Sequence, residues 1–312
     1  MWKKIYYVDA FTTAIFGGNP AGVVIVDEFL HRDLMQKMAK ELNLSETVFI
    51  KVDRENPTTV ETRFFTPVTE VELCGHATLA AFYVLVQEGY IQEKGPRFHV
   101  KQITLQGELS VEIIKTQRDI EVIMDQQQPQ LVSEKIDGKR LSRIMGIEEQ
   151  DIGITEHKGF KGELKPGIAS TGLKDLIVPL KSLEILKKIT IDEEKLKTYS
   201  EELGVVGIHA FTLETLRGNT AHTRNFAPLV GISEEAATGT ANGALGYYLV
   251  KNKLVNLTDE QEISLSFEQG DFMERSSEIQ CYIRKSEEGY RIKVGGKARI
   301  CIKGEIQLPE NS

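Results

Sequence analysis

Two short stretches, far apart in a chain of 312 residues, carry residue types suited to acid–base chemistry. The first is Cys74-Gly75-His76-Ala77, which opens the apolar run from Thr78 to Val86. The second is Thr238-Gly239-Thr240-Ala241, which leads into the apolar run from Ala244 to Val250 and has Glu235 just before it. If a helix starts at each glycine, the N–H groups of residues 75–77 and 239–241 lack acceptors inside the helix, and the helix dipole adds positive potential there. Glycine lets a ligand approach the backbone closely. Two such ends facing each other across a domain interface would hold an anion, a substrate carboxylate in particular. Each glycine could equally serve nothing but tight packing. His76 falls in the first turn, where the dipole should lower its pKa and favour neutral imidazole; the position also suits a histidine satisfied by local backbone. Glu235 reads as an acid of the second end or as a solvated loop acid beside Glu234. Cys74 reads as a thiol base at a helix start or as a small core residue. Glu46, which follows Ser45 at the passage from a helix into a strand, has no local mark of catalysis.

The elements that must position these residues are mostly strands. Short β-branched runs recur at 47–50, 111–114, 120–124, 176–180 and 298–302. Leu34, Met38 and Leu42 repeat at helical spacing within Asp33 to Leu42, with Asp33 as the expected N-cap. Asp192 to Leu203 is expected to be a helix stopped by Gly204. Strands with scattered helices fit an α+β fold better than a regular βαβ winding. Phe65-Thr66-Pro67 precedes the first chemical stretch and Phe226-Ala227-Pro228 the second, each followed by acidic residues. With Gly75 laid on Gly239, Tyr83 matches Tyr247, Leu85 matches Leu249 and Val86 matches Val250. This predicts two copies of one unit, each a sheet around a helix that is apolar all round and therefore buried.

Bulk properties exclude several functions. A content of 41% hydrophobic and 27% charged residues is that of a folded globular protein, and the length predicts two domains. A formal charge of −8, with no long basic cluster, argues against nucleic acid as a partner. The N-terminus reads as an immediate strand and not as a signal peptide. No apolar run approaches the ~20 residues of a membrane span. Three cysteines without a CxxC pair suit reduced thiols and a cytoplasmic location. Six scattered histidines without an HExxH motif give metal hydrolysis little support, so no metal is expected. No GxSxG elbow is present. The glycines at 239, 243 and 246 are not spaced as a dinucleotide fingerprint, and no clear strand precedes them.

The residues collected above, together with others in order along the chain, resemble the phenazine-biosynthesis (PhzF-like) family of the diaminopimelate-epimerase-like superfamily. The matching segments are Val8 to Phe11, Gly18 to Ala21, Asn43 to Thr47, Arg63 to Pro67, Glu72 to Thr78, Ser170 to Gly172, Arg224 to Pro228, Ala237 to Ala241, Glu268 to Gly270 and Val294 to Gly296. The resemblance implies an α+β fold of two pseudo-symmetric lobes, each a mixed or antiparallel sheet around a central helix, with the active site between the lobes. The lobes are expected to be 1–128 and 129–312, with a strand at about 298–305 returning to the first. It implies a cofactor-independent isomerase that shifts a proton, moving a double bond or tautomerising a small carboxylate-bearing metabolite, as a homodimer.

By the same resemblance Glu46 is the acid/base, with His76 and Glu235 as further catalytic residues. Gly75, Ala77, Gly239, Thr240, Asn19 and Ser170 are implied to bind substrate. Burial should raise the pKa of Glu46 toward working pH. Glu235 stands where the family usually has aspartate, and Met273 to Ser277 replaces the more usual Gly-Arg-Pro. Related racemases and epimerases use one cysteine from each helix start. Here Cys74 faces Thr238 in the repeat, and a hydroxyl is too weak an acid to replace a thiol. A racemase using Cys74, or a binding protein without chemistry on this scaffold, are the alternatives.

Overall fold

The computed structural model describes residues 2–52, 58–91, 95–132, 134–157, 160–258 and 261–309. They form two compact units, Met1–Asp125 with Gly295–Ser312, and Gln126–Val294. The first unit contains β1 (Trp2–Ala10), β2 (Asn19–Val26), α1 (Arg32–Leu42), β3 (Glu46–Val52), β4 (Thr59–Phe65), β5 (Glu70–Val71), α2 (Gly75–Gln87), β6 (Arg97–Thr104), β7 (Gly107–Lys115) and β8 (Ile120–Asp125). The second contains β9 (Gln130–Val132), α3 (Gly138–Met145), β10 (Ile154–His157), β11 (Phe160–Leu164), β12 (Gly167–Ser170), β13 (Lys174–Pro179), α4 (Leu183–Lys188), α5 (Glu193–Leu203), β14 (Gly207–Thr212), β15 (Ala221–Ala227), β16 (Ile232–Glu235), α6 (Gly239–Lys251), β17 (Glu262–Gln269) and β18 (Ser277–Ser286). The last strand, β19 (Gly289–Gln307), begins in the second unit and ends in the first.

In the first unit β1 pairs antiparallel with β2, β2 parallel with β3, β3 antiparallel with β4, and β4 parallel with β6. The hairpins β6–β7 and β7–β8 follow, β8 pairs with β19, and β19 returns antiparallel to β1. The strands therefore close on themselves, which removes exposed sheet edges. Inside lies α2, buried without a break from His76 to Val86. Its sequence is apolar on every face, so a sheet wrapped round it is the only way to remove that surface from water. Shortening the fully buried Leu79 to alanine would cost about 2–5 kcal/mol. Outside the sheet, α1 lays Met35, Met38 and Ala39 on Val24, Phe49 and Phe65.

The second unit repeats the plan. Its β12 pairs antiparallel with β13, β13 parallel with β14, β14 antiparallel with β15, and β15 parallel with β17, which pairs antiparallel with β18. Each unit thus has a parallel pair with helices in its crossover, and then a strand and short strand leading into a thirteen-residue buried helix, α2 or α6. On the outer face α3, α4 and α5 pack on β13 and β14 through Leu141, Ile144, Leu186, Leu196, Leu176 and Ile208.

Two boundaries differ slightly from the sequence expectation, and one helix cap needs correction. The units divide between Asp125 and Gln126, against an expected border at 128, and the first takes back the chain from Gly295. The returning strand, expected at about 298–305, is the second half of β19, which pairs with β1 from Ala298 to Gln307. The N-cap of α1 is His31, whose ring accepts from the Asp33 N–H, and Asp33 lies in the first turn. By contrast α5 is capped by Asp192 and stops at Gly204 in the left-handed region. Among the described residues no helix is long and apolar enough to cross a membrane.

Candidate active site

In the first unit the chemistry gathers at the start of α2. Glu46 opens β3, where it pairs with Ala21 of β2. The residues before it, Asn43 in the left-handed region ending α1 and then Ser45, turn the chain from helix to strand. Its side chain is 15% exposed, and Oε2 lies 3.1 Å from Nε2 of His76. That oxygen is fully buried and meets no donor in good hydrogen-bonding geometry among the described residues. On the other side of the ring, His76 Nδ1 is 3.4 Å from the Cys74 sulfur. Ser45 Oγ is 3.2 Å from Nε2 and donates to the Pro20 carbonyl, also at 3.2 Å. A cysteine, an imidazole and a carboxylate therefore stand in a row, with Ser45 beside them.

The electrostatics differ from the sequence expectation. Burial alone would keep His76 neutral, but Cys74 and Glu46 outweigh it and raise its pKa well above the usual range. Burial would likewise raise Glu46, yet His76, with help from Ser45, lowers it below an ordinary glutamate. The pair rests as carboxylate and imidazolium, not as the neutral histidine and poised acid predicted from the dipole and from burial. A specific opposite charge at contact distance outweighs both of those general effects. Cys74 is not an activated thiol either. Its burial and the Glu46 charge raise its pKa, and the opposing pulls of His76 and the Ala77 N–H are too weak to reverse this.

Gly75 separates the packing reading from the ligand reading. A Cβ built there would meet nothing within 4 Å, so its lack of a side chain serves no packing contact. It leaves the helix start open. Gly246 is the opposite case, since a Cβ there would lie 2.7 Å from the Cys281 sulfur.

In the second unit Glu235 ends β16 opposite Asn225 of β15. Its Oε2 accepts a 2.5 Å hydrogen bond from the Thr238 hydroxyl. It is therefore no loosely solvated loop acid. Thr238 is the N-cap of α6 but makes no side-chain capping bond. Asp175, on β13, is buried at 2% exposure; burial and the Glu235 charge push its pKa up to about 8, against an opposing bond from Asn225. Next to them runs a buried amide network of His209, Asn225, Asn242 and Gln269. Burial holds His209 neutral, with a pKa of about 3.

The remaining candidates are distributed as follows. Ala77 has a fully buried side chain, so only its backbone N–H could serve a ligand. Asn19 is buried at the start of β2, paired with Ala10. Gly239 opens α6, and the Thr240 carbonyl accepts from Thr171. Ser170 is buried and spends its hydroxyl on the Gly172 N–H, which shapes the turn after β12. Sequence reasoning missed Ser45 as a partner of His76. It also missed Asp175 and the amide network, whose members are far apart in sequence and look like ordinary strand residues.

Among the described residues, two groups bring possible metal donors within 4.8 Å of one another, Glu46 with Cys74 and His76, and His222 with Glu268 and Asp271. Neither suits a cation. In the first, thiol and carboxylate address different nitrogens of one ring. In the second, Glu268 accepts the Leu216 and Arg217 N–H groups, and Asp271 is paired with the Arg217 guanidinium.

Comparison with known proteins agrees with this architecture. The pattern of the family described as "Phenazine biosynthesis-like protein" matches residues 8–304. The chain is 35% identical to an uncharacterized isomerase of Clostridium acetobutylicum over 310 residues, 98% of each protein. The crystal structure of a Bacillus anthracis phenazine biosynthesis protein of the PhzF family superposes with a TM-score of 0.87 at 27% identity, covering 99% of this chain and all of that one. A hydroxyproline epimerase of Agrobacterium vitis, 12% identical with a TM-score of 0.57 over 98% of this chain and 91% of that one, shares the fold alone. The chain belongs to the phenazine biosynthesis-like (PhzF) family and is an isomerase of it.

Proposed function

We propose that the protein isomerises a small carboxylate-bearing metabolite by moving one proton, with Glu46 as the acid/base. The observation that carries this reading is the buried Oε2 of Glu46 in contact with His76 at the open start of α2. Glu46 is already a carboxylate at neutral pH, so it can take a proton from the carbon next to the substrate carboxylate. Negative charge then develops on the substrate. The His76 imidazolium and the N–H groups of residues 75–77 favour that charge. The double bond shifts, and the protonated Glu46, whose proton exchanges with solvent, delivers a proton to another carbon, so the product is an isomer and no group is consumed.

Glu235 is proposed as a further contact to the substrate. A racemase built on Cys74 is less well supported, because its thiol is held protonated and its counterpart in the repeat is Thr238. The test is deuterium uptake from heavy water into unsaturated carboxylates and amino acids, followed by mass spectrometry. Uptake abolished in Glu46→Gln and retained in Cys74→Ser supports the proposal. Uptake that persists in Glu46→Gln, or disappears in Cys74→Ser alone, overturns it.

A further inference from the structure

Every hydrogen bond of the network behind Glu235 has an assignable direction. Gln269 Oε1 accepts from the Thr238 N–H at 3.2 Å and from Asn242 Nδ2 at 2.7 Å, so that end of the amide is the oxygen. Gln269 Nε2 therefore donates, to the Glu235 carbonyl at 2.7 Å and to the Thr238 hydroxyl at 3.1 Å. Asn242 also donates to the Thr238 carbonyl, so its own oxygen is left to accept from His209 Nε2 at 3.3 Å. His209 Nδ1 then accepts from Asn225 Nδ2 at 3.2 Å. Order runs one way through five side chains, from Asn225 to Thr238, and all but Thr238 are buried at 2% exposure or less.

The consequence falls on Thr238. A threonine at an N-cap ordinarily turns its oxygen to the N–H groups of the first turn. Here that oxygen is occupied by a donor from Gln269, and its proton goes to Glu235. We propose that Gln269 is a positioning residue for Glu235: by donating to the Thr238 hydroxyl it fixes Thr238 as a donor, and so holds the Glu235 carboxylate in one orientation as an acceptor. The inference rests on the reading of Glu235 as a site residue, and it adds what Glu235 can recognise. A carboxylate held this way meets a donor, so the part of the substrate that Glu235 contacts carries an ammonium or hydroxyl group. Charged and titratable groups near it include Asp175 on β13, His209 on β14, and the Arg224–Glu234 pair of β15 and β16. The last of these is closed on itself by two hydrogen bonds of 2.8 Å.

The test measures Glu235 directly and needs no substrate. Protein labelled with carboxyl-¹³C glutamate is titrated by NMR, and Glu235→Gln identifies the resonance. Thr238→Val, which keeps the shape and the backbone N–H, is expected to raise the Glu235 midpoint by roughly one pH unit, about tenfold in proton affinity, because a donor to the charged form is lost. Thr238→Ser is expected to restore the midpoint. Gln269→Leu is expected to shift it in the same direction as Thr238→Val, since the hydroxyl is then free to turn. An unmoved midpoint in Thr238→Val overturns the proposal. So does a shift in Thr238→Val with none in Gln269→Leu, which would mean that Thr238 needs no help to point its proton. Failure here leaves Glu46 untouched, because deuterium uptake judges that reading separately.

Discussion

Asp175→Asn should stabilise the second unit, and by more as the pH rises. Asp175 has an ordinary value of 3.8, and in the folded chain burial first and the Glu235 charge second push it to about 8. The folded protein therefore keeps a proton that the unfolded chain releases. Stability changes with pH as the difference between protons bound unfolded and folded, so between about pH 4 and about pH 8 this residue makes the fold less stable as the pH rises. Each unit of pH is worth about 1.4 kcal/mol, so from about pH 5 to about pH 7 the cost grows by about 3 kcal/mol. Asparagine has nearly the same shape, cannot ionise, and still offers an oxygen to the Asn225 amide. Hydrogen exchange of peptides from Lys174–Pro179, read by mass spectrometry at both pH values, isolates the unit that holds the residue. The gap between Asp175→Asn and the parent is expected to widen by about 3 kcal/mol across that interval. An equal gap at both pH values would refute the reasoning, since it would mean that Asp175 ionises normally in the folded state.

Glu46 and His76 should titrate as a pair, the carboxylate below its usual range and the imidazole above its own. Activity needs the ionised carboxylate and the charged imidazole. It should therefore hold across neutral pH, fall when acid protonates Glu46, and fall again when alkali discharges His76. In Glu46→Gln the His76 midpoint, followed by proton NMR, should move down; a midpoint that stays high would place the source of the shift elsewhere. Gly75→Ala should leave stability unchanged or raise it by up to about 1 kcal/mol, because the added methyl meets no atom and alanine favours a helix. It should still weaken carboxylate binding measured by calorimetry; unchanged binding would remove the start of α2 from the site. Gly246→Ala should lower the melting temperature, since its methyl would press on Cys281. Cys74 should react slowly with iodoacetamide at neutral pH, and a fast reaction would contradict the protonated thiol.

Much of this protein was legible in one dimension because its helices and repeat are local. The runs after Gly75 and Gly239 are apolar on all faces, which requires a sheet around each, and both helices are buried as that pattern demands. Asp192 and Gly204 bound α5 through cap chemistry that depends only on neighbouring residues. Gly75 and His76 were visible as candidates because a helix start announces itself in sequence, whereas Glu46 was found only through resemblance.

Tertiary structure decided the charges and the pairings. Whether His76 is neutral or charged depends on Cys74 two residues away and also on a carboxylate thirty residues away in the chain and 3.1 Å away in space, and no local rule contains that second distance. Likewise Gln269, Asn242 and His209 are unremarkable in their own segments and acquire a direction only when β14, β17 and α6 bring their amides and ring together. Dipole and burial arguments act on average, over several residues. Contact between two ionisable groups acts on one proton, and folding alone makes that contact.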